Sequence, residues 1–367
     1  MSSKPRLEFI GLELDIAGCP NTCRHCKDGG RRPCGELMSF DDAKWVVEQF
    51  RGLTTCEQPV VGAMEACLYH EPTAHPDFLS LLEYFADAEL LGDPEDSIAV
   101  LATNGYGIAH ADDCHQMLGR LKKIGTRMVS STLHGLEEHH DWFVCRKGAF
   151  RDIFLAAERA ADAGLKVFLN VYLDRRNTED LSRLLYSIHS FENRMGSEVG
   201  LSLSVPSSVV GKRLRVYESK LRPSLSDLEM LPAGLEAFWE PPYDRYTESS
   251  WIERILTQPT DPSLESGFDP EVSDGEGSFI LAVDRFFDVH QRPYNFNWPA
   301  VKHGNLRTDD LPAILDSMEA WRPPQLPDLT TLAERYGDRN STLIHKNAFS
   351  IRNKWLDIYW RDERTEF

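Results

Sequence analysis

The sequence lacks three kinds of segment, and each absence narrows the class of protein. No run of about 18 apolar residues is present, so we predict no membrane-spanning helix. The first six residues lack the apolar stretch of a signal peptide, and we therefore expect a cytoplasmic protein. Lysine and arginine form no long run, and the net charge is −18. An acidic chain without a basic cluster is expected to bind neither nucleic acid nor a membrane.

Cysteine is missing from most of the chain. All eight cysteines lie between Cys19 and Cys145, and three of them crowd into positions 19, 23 and 26. Disulfide frameworks distribute cysteines so that they connect distant segments, which this arrangement does not do. The clustering therefore favours a metal or redox site in a reducing compartment.

Apolar runs alternate with amphipathic stretches over the first two hundred residues. We predict strands over residues 7–16, 60–69, 98–103, 126–133, 166–173 and 199–205. We predict helices over residues 41–50, 77–91, 111–124, 150–163 and 178–195. Strand–helix alternation at this spacing is typical of βαβ units and a parallel sheet. The expected fold class is α/β, a partial (β/α)6 TIM-like barrel with a small C-terminal α/β extension.

The alternation weakens after the sixth strand, and three regions are expected. The partial barrel spans residues 1–215, an irregular proline-rich connecting region spans 216–278, and the extension with a helical C-terminus spans 279–367. The connecting region contains seven prolines, at positions 223, 232, 241, 242, 259, 262 and 270. Because proline lacks a backbone N–H, we expect few regular elements there.

The cysteine cluster has the spacing C-x3-C-x2-C, in the segment CPNTCRHC at residues 19–26. Thiolate ligands suit iron–sulfur clusters, and three of them leave one iron of a four-iron cluster without a protein ligand. The alternative is a structural zinc site, with His25 or Cys34 as the fourth ligand. A three-residue first gap is unusual for zinc sites, so we favour the cluster.

This motif, placed directly after the first strand, resembles that of the radical S-adenosylmethionine (radical SAM) superfamily. The resemblance extends over roughly residues 8–210. It implies an enzyme with one [4Fe–4S] cluster on Cys19, Cys23 and Cys26, whose open iron binds S-adenosylmethionine. It further implies reductive cleavage of that cofactor to a 5′-deoxyadenosyl radical, which removes hydrogen from a substrate.

Four further residues stand where the family binds S-adenosylmethionine. The segment 69–72, Tyr-His-Glu-Pro, replaces the family's Gly-Gly-Glu-Pro, which implies that Glu71 holds the methionine amino group. Ser130 resembles a serine at a strand end of the family that contacts the ligand, and Asn170 and Arg175 resemble polar residues that meet the ribose or the carboxylate. The carboxyl ends of barrel strands carry the chemistry, and all four residues are expected there.

Two further expectations concern side chains near these positions. Alternation along the second strand predicts that Cys67 shares the inner face with Glu71, deep in the barrel and out of reach of substrate. Three histidines follow the fourth strand, at positions 134, 139 and 140. We expect them to be solvated or to face substrate rather than to bind a second metal.

The segment from residue 279 to 306 resembles the SPASM or twitch extension of the family. A strand pair, the sequence His-Gly-Asn-Leu at 303–306 and a helix near 309–318 carry this resemblance. The cysteines that would bind auxiliary clusters are missing, which implies a degenerate extension that shapes the substrate pocket. An unrelated hairpin and helix is the alternative.

The resemblance implies a small-molecule or sugar-type natural-product substrate, changed by tailoring, epimerisation or rearrangement. An external electron donor such as flavodoxin or ferredoxin is expected. Maturation of a ribosomal peptide and a non-catalytic Fe–S redox sensor are the alternatives. Without an auxiliary cluster to accept an electron, we expect the substrate radical to end by hydrogen transfer or by a redox-neutral rearrangement. Cys34 and Cys145 are the thiols expected near the barrel mouth, and we predict that Cys145 is the donor; simple packing in a loop is the alternative.

Overall fold

The structure is a computed structural model that describes residues 7–26, 37–55, 60–92, 99–206, 217, 220–231, 235, 246–261, 264, 278–292, 301–321 and 326–362. The strands are β1 (Leu7–Asp15), β2 (Val61–Leu68), β3 (Val100–Ala102), β4 (Met128–Leu133), β5 (Lys166–Tyr172), β6 (Val199–Ser204), β7 (Ser278–Asp284), β8 (Asp288–Arg292) and β9 (Val301–Asn305). The helices are α1 (Phe40–Thr55), α2 (Phe78–Asp87), α3 (Tyr106–His110), α4 (Cys114–Ile124), α5 (Glu137–Val144), α6 (Ala149–Asp162), α7 (Leu181–Met195), α8 (Leu225–Glu229), α9 (Glu248–Thr257), α10 (Leu311–Ala320), α11 (Leu329–Tyr336) and α12 (Ala348–Asp362).

The strands of the described residues form two sheets. One has the order β2-β1-β7-β8-β9 and the other the order β3-β4-β5-β6. Strands β1 and β2 are parallel, as are all pairs in the second sheet. Helices follow the strands along the chain, which parallel connections require. The expected α/β class with a partial, TIM-like barrel of six strands is confirmed.

Strand β7 lies next to β1 and runs parallel to it. Their register pairs Phe9 with Ser278 and Asp15 with Asp284. Strands β8 and β9 then continue the sheet in antiparallel orientation. The strand pair that the sequence analysis assigned to a C-terminal extension thus enlarges the sheet that holds the first two barrel strands.

Strands β1, β4 and β5 each bury alternate side chains. In β1 the side chains of Ile10, Leu12 and Leu14 are fully buried, whereas Phe9, Gly11 and Glu13 are partly exposed. Strand β5 repeats the pattern, with alternate residues buried from Val167 to Val171. This period of two follows from strand geometry. The partly exposed face lines the lumen of the barrel.

The two sheets meet at the edges of β2 and β3, which are not paired with each other in the described part of the chain. The segment after α2 lies along β2 instead, and the backbone N–H of Ala66 donates a hydrogen bond to the Leu90 carbonyl at 2.8 Å. Contacts between the sheets at this side are therefore made by turns and side chains.

The helices α9, α11 and α12 enclose a second hydrophobic core, which includes Trp251, Leu332 and Trp355. Glu248 is buried within this core, where the Trp355 indole donates a hydrogen bond to its carboxylate at 2.9 Å and Lys354 pairs with it. Burial of a carboxylate is tolerated because these donors replace water.

Two short helices, α3 and α5, were not predicted from the sequence. The carboxylate of Asp141 accepts hydrogen bonds from the backbone N–H groups of Gly148 and Phe150, which connects α5 to the start of α6. Such side-chain contacts leave no periodic pattern in the sequence. None of the described helices is both long and apolar enough to cross a membrane.

Candidate active site

The three clustered cysteines lie in the loop after β1. Gly18 has a φ of +67°, a conformation that glycine adopts without strain, and its N–H donates to the Asp15 carboxylate at 2.8 Å. The Gly18 carbonyl accepts a hydrogen bond from the Glu71 N–H at 3.1 Å. These contacts turn the loop away from β1 and hold it beside the end of β2.

Cys19, Cys23 and Cys26 are free, partly buried thiols. Burial raises the pKa of the Cys19 thiol to about 12, and repulsion from the Glu71 carboxylate and from the Cys26 thiolate acts in the same direction. Burial also raises the pKa of Cys23 well above its usual value. Three soft sulfur donors that are costly to ionise alone fit a cationic metal centre, which offsets that cost.

The cysteine loop is docked on the end of α5. The backbone N–H groups of Thr22 and Arg24 donate to the carbonyls of Val144 and Phe143, each at 3.0 Å. The guanidinium of Arg24 lies 4.1 Å from the centre of the Trp142 ring. Because α5 follows β4, this contact connects the loop of the first sheet to the second sheet.

Glu71 is buried where the two sheets meet. Its carboxylate accepts hydrogen bonds from the Thr103 hydroxyl at 2.7 Å, from the Asn104 backbone N–H at 2.6 Å and from the Thr73 hydroxyl. Burial raises the pKa of Glu71, although these hydrogen bonds oppose the rise. The expected contact between Glu71 and the methionine amino group stays a prediction.

Ser130 and Asn170 are brought together on the lumen face of the second sheet. The Asn170 amide donates to the Ser130 hydroxyl at 3.1 Å and accepts from the Ser202 hydroxyl at 2.7 Å. Arg175 lies just beyond β5, where its guanidinium is 3.5 Å from the Asp227 carboxylate and partly exposed. Cofactor binding by Ser130, Asn170 and Arg175 remains a prediction.

For two of the three histidines after β4 the expectation of solvation is wrong, whereas a position that faces substrate stays a prediction. His134 and His140 are buried, and the ring of His134 stacks on Phe143 with a centroid distance of 4.0 Å. The third, His139, binds the Asp174 carboxylate at 2.7 Å. His25 packs against His134 at 4.9 Å. These rings form an aromatic wall beside the cysteine loop.

The expectation for Cys67 is also wrong. Its side chain is exposed rather than buried in the barrel. Strand β2 ends at Leu68, and His70 has a φ of +66°, so the alternation does not continue to Glu71. Cys145 ends α5 and lies close enough to Cys23 for charge repulsion between the two thiolates to raise the pKa of Cys23.

Two residues near the cysteine loop were missed as functional candidates. The amide of Asn104 donates a hydrogen bond to Cys19 Sγ at 3.5 Å. Arg146 donates to the Asn21 side chain at 2.6 Å and pairs with Asp152. The turn sequence Thr-Asn-Gly at 103–105 is the one signal for Asn104, whereas nothing in the sequence distinguishes Arg146.

Comparisons with known proteins give one partial relative and several similar folds. Fe-coproporphyrin III synthase of Methanosarcina barkeri (strain Fusaro / DSM 804) is 29% identical over 111 residues, 30% of this chain. The chain spans only about a quarter of that relative's length. The solved structure of anSMEcpe with bound AdoMet and the Cp18Cys peptide has a TM-score of 0.44 at 14% identity, covering 97% of both chains. Coproporphyrinogen III oxidase (HemN) of Escherichia coli has a TM-score of 0.40 at 12% identity, covering 98% of this chain and 81% of its own.

The family model of the Radical SAM superfamily matches residues 15–185, from the last residue of β1 into α7. The match covers the cysteine loop and most of the residues discussed above. It confirms the predicted enzyme class and its two cofactors, a [4Fe–4S] cluster and S-adenosylmethionine. An enzyme of this class needs a substrate and a reductant in addition. Residues 15–185 thus form a domain of the Radical SAM superfamily.

Proposed function

We propose that this protein cleaves S-adenosylmethionine reductively and abstracts hydrogen from a small-molecule or sugar-type natural product. The observation that carries this proposal is the loop of three free, mutually close thiols at the carboxyl end of β1. Cys19, Cys23 and Cys26 hold the [4Fe–4S] cluster. When bound, the reduced cluster supplies the electron that cleaves the cofactor, and the resulting radical takes hydrogen from substrate.

The remaining residues at the barrel mouth bind and orient the cofactor. Ser130 and Asn170 form a polar row on the lumen face, supported by Ser202, and offer hydroxyl and amide groups to the cofactor's ribose or carboxylate. The Arg175 guanidinium is paired with Asp227, and it must leave this carboxylate to bind the cofactor. The His25 ring, next to the last cysteine, offers a flat surface to the adenine.

The chain outside the family match supports a substrate pocket rather than a second redox centre. Strands β7, β8 and β9 extend the barrel sheet, and no cysteine follows Cys145 in the sequence. We propose that this region is a degenerate SPASM-like extension, and that a flavodoxin- or ferredoxin-type protein in the cytoplasm delivers the electron.

The test is anaerobic reconstitution of the full chain, followed by S-adenosylmethionine and dithionite. The expected result is about four irons per chain and formation of 5′-deoxyadenosine. Replacement of Cys19, Cys23 or Cys26 by alanine abolishes both. Cys114→Ala is the matched control, since Cys114 begins the outer helix α4, and it retains both. Iron loading without 5′-deoxyadenosine favours the redox sensor.

Cys145 is the proposed hydrogen donor to the substrate radical. The Cys145→Ala variant then forms 5′-deoxyadenosine but no longer delivers hydrogen to the product. The measurement is deuterium incorporation from D2O, because a thiol exchanges its hydrogen with solvent. Product with the parental deuterium content in this variant removes Cys145 from the mechanism.

A further inference from the structure

The side chain of Asn104 connects the two sheets, and the proposed function assigns no role to it. Asn104 follows β3 in the second sheet, and Cys19 follows β1 in the first. The Asn104 Nδ2 atom lies 3.5 Å from Cys19 Sγ and donates a hydrogen bond to it. This hydrogen bond reaches a cysteine sulfur that the family's cluster is expected to use.

The orientation of the Asn104 amide follows from its other hydrogen bonds. Its Oδ1 atom accepts a hydrogen bond from the Tyr106 backbone N–H at 2.9 Å. An amide carries its acceptor and its donors on different branches, so an oxygen that faces Tyr106 turns the NH2 group towards Cys19. The turn therefore fixes which branch of the amide faces the sulfur. The flipped amide would lose the hydrogen bond from the Tyr106 N–H.

The turn that presents Asn104 is held on both sides. The Glu71 carboxylate accepts from the Asn104 backbone N–H at 2.6 Å, and the Thr103 hydroxyl accepts from the Gly105 N–H at 3.0 Å. Gly105 has a φ of +82°, and a Cβ atom there would lie 3.0 Å from the Asp152 carbonyl oxygen. Any larger residue at 105 is strained, so the turn has little freedom.

We propose that Asn104 is a positioning residue that acts through Cys19, and that its amide N–H makes the cluster easier to reduce. This inference rests on the proposed cluster ligands. Reduction adds an electron to the cluster and its sulfur ligands, and a donor aimed at one sulfur stabilises the added negative charge. Hydrogen bonds to ligand sulfurs are a recognised determinant of cluster potentials. Glu71 holds the Asn104 backbone and thereby keeps the amide beside Cys19.

The test compares three variants of the reconstituted full chain. Asn104→Ser keeps an oxygen for the Tyr106 N–H, and its side chain is one atom shorter, so that no donor reaches the sulfur. Asn104→Asp also keeps that acceptor and turns a charged oxygen towards the sulfur. Asn340→Ser, in an exposed turn of the C-terminal region, is the matched control. Iron content, thermal unfolding and the midpoint potential, from a redox titration followed by EPR without S-adenosylmethionine, are measured for each.

We expect about four irons per chain in all variants. The midpoint potential of Asn104→Ser shifts to a more negative value, and that of Asn104→Asp shifts further in the same direction. Asn340→Ser keeps the parental potential. Parental potentials in both Asn104 variants at full iron loading overturn the inference, and either loaded variant suffices if the other fails to fold. A parental chain that binds no iron instead overturns the proposed function.

Discussion

The two sheets contribute different chemistry to the barrel mouth. The sheet that contains β1 and β2 supplies the ionisable groups, namely the three cysteines of the loop and Glu71. The sheet of β3 to β6 supplies neutral hydrogen-bonding groups, among them Asn104, Ser130 and Asn170. Thiolates and a carboxylate need donors when they are buried. Neither sheet therefore holds a complete site, and the site depends on the contact between the two sheets.

The contact between the sheets is made by a few turns. Glu71 accepts hydrogen bonds from Thr103 and Asn104, and the helix α3 packs on the short 3-10 turn at Pro72–Ala74. Because β2 and β3 are not paired in the described residues, these contacts carry the connection on this side. The variants below either disrupt this contact or compare the stability of the two sheets.

The largest effect is expected from Gly107→Ala in α3. A Cβ atom at position 107 would lie 2.0 Å from the Thr73 carbonyl oxygen, so the helix and the turn must separate. We expect a loss of about 3 kcal/mol or more in the free energy of unfolding, measured by urea titration. Gly119→Ala is the control, because nothing lies within 4 Å of a Cβ atom there. In the interior of α4 this change should stabilise by about 0.5–1 kcal/mol. Equal effects at the two glycines would contradict the role of the turn contact.

Glu71→Ala removes the carboxylate and leaves the Thr103 hydroxyl and the Asn104 N–H buried without an acceptor. Loss of one partner from a buried hydrogen bond costs about 1–3 kcal/mol. The free energy of unfolding should fall by that amount, measured by urea titration. Glu65→Ala, at an exposed position in β2, should change it by no more than about 0.5 kcal/mol. If both variants have the same stability, Glu71 does not join the sheets.

The sheets should also differ in their response to acid. Burial lowers the pKa of His140, behind the second sheet, to about 3. The unfolded chain takes up this proton below about pH 6.5 while the folded chain does not, so stability falls with pH from there down to the folded pKa. In the first sheet, burial raises the pKa of Asp284, but hydrogen bonds from His290 and two backbone N–H groups lower it by more. The pKa of Asp284 therefore lies below the usual value. Its contribution is present above the pKa of an unfolded aspartate, about 3.9, and is lost as the pH falls from there through the lowered folded pKa.

His140→Asn keeps an acceptor for the His134 N–H but has no proton to gain. Between pH 6 and pH 4.5 the slope of unfolding free energy against pH should fall by about 1.4 kcal/mol per pH unit. The control His115→Asn, at an exposed position of α4, should leave the slope as it was. An unchanged slope in His140→Asn would mean that this imidazole is protonated in the folded chain.

The smallest effect is expected from Arg176→Gln. The guanidinium of Arg176 lies 4.2 Å from the centre of the Trp142 ring, whose indole also contacts Arg24 of the cysteine loop. A cation–π contact of this kind contributes about 0.5–1 kcal/mol. The unfolding free energy should fall by that amount, whereas Arg183→Gln, at an exposed pair in α7, should leave it nearly unchanged. A larger loss for Arg183→Gln would show that the ring contact is unimportant.

The sequence predicts most barrel elements well because their patterns are local. The period of two in β1 and β5 and the period of helices such as α4 appear within a few residues of chain. It fails for α5, whose position depends on Asp141 reaching forward to Gly148 and Phe150. It also fails for Cys67, because alternation predicts which face of a strand a side chain occupies but not how much of that face other segments cover.

The sequence by itself determined the strand–helix order and the three-cysteine motif, because both depend on residues close together in the chain. Only the tertiary structure decided that β7 lies beside β1, that Glu71 binds the turn at Asn104 and that His134 and His140 are buried. The first two are contacts between segments far apart in sequence, and the two histidines are buried by one another and, for His134, by Phe143 and by His25 of the cysteine loop. Such contacts are selected by packing and by the need of buried polar groups for partners, and neither leaves a periodic pattern in the chain.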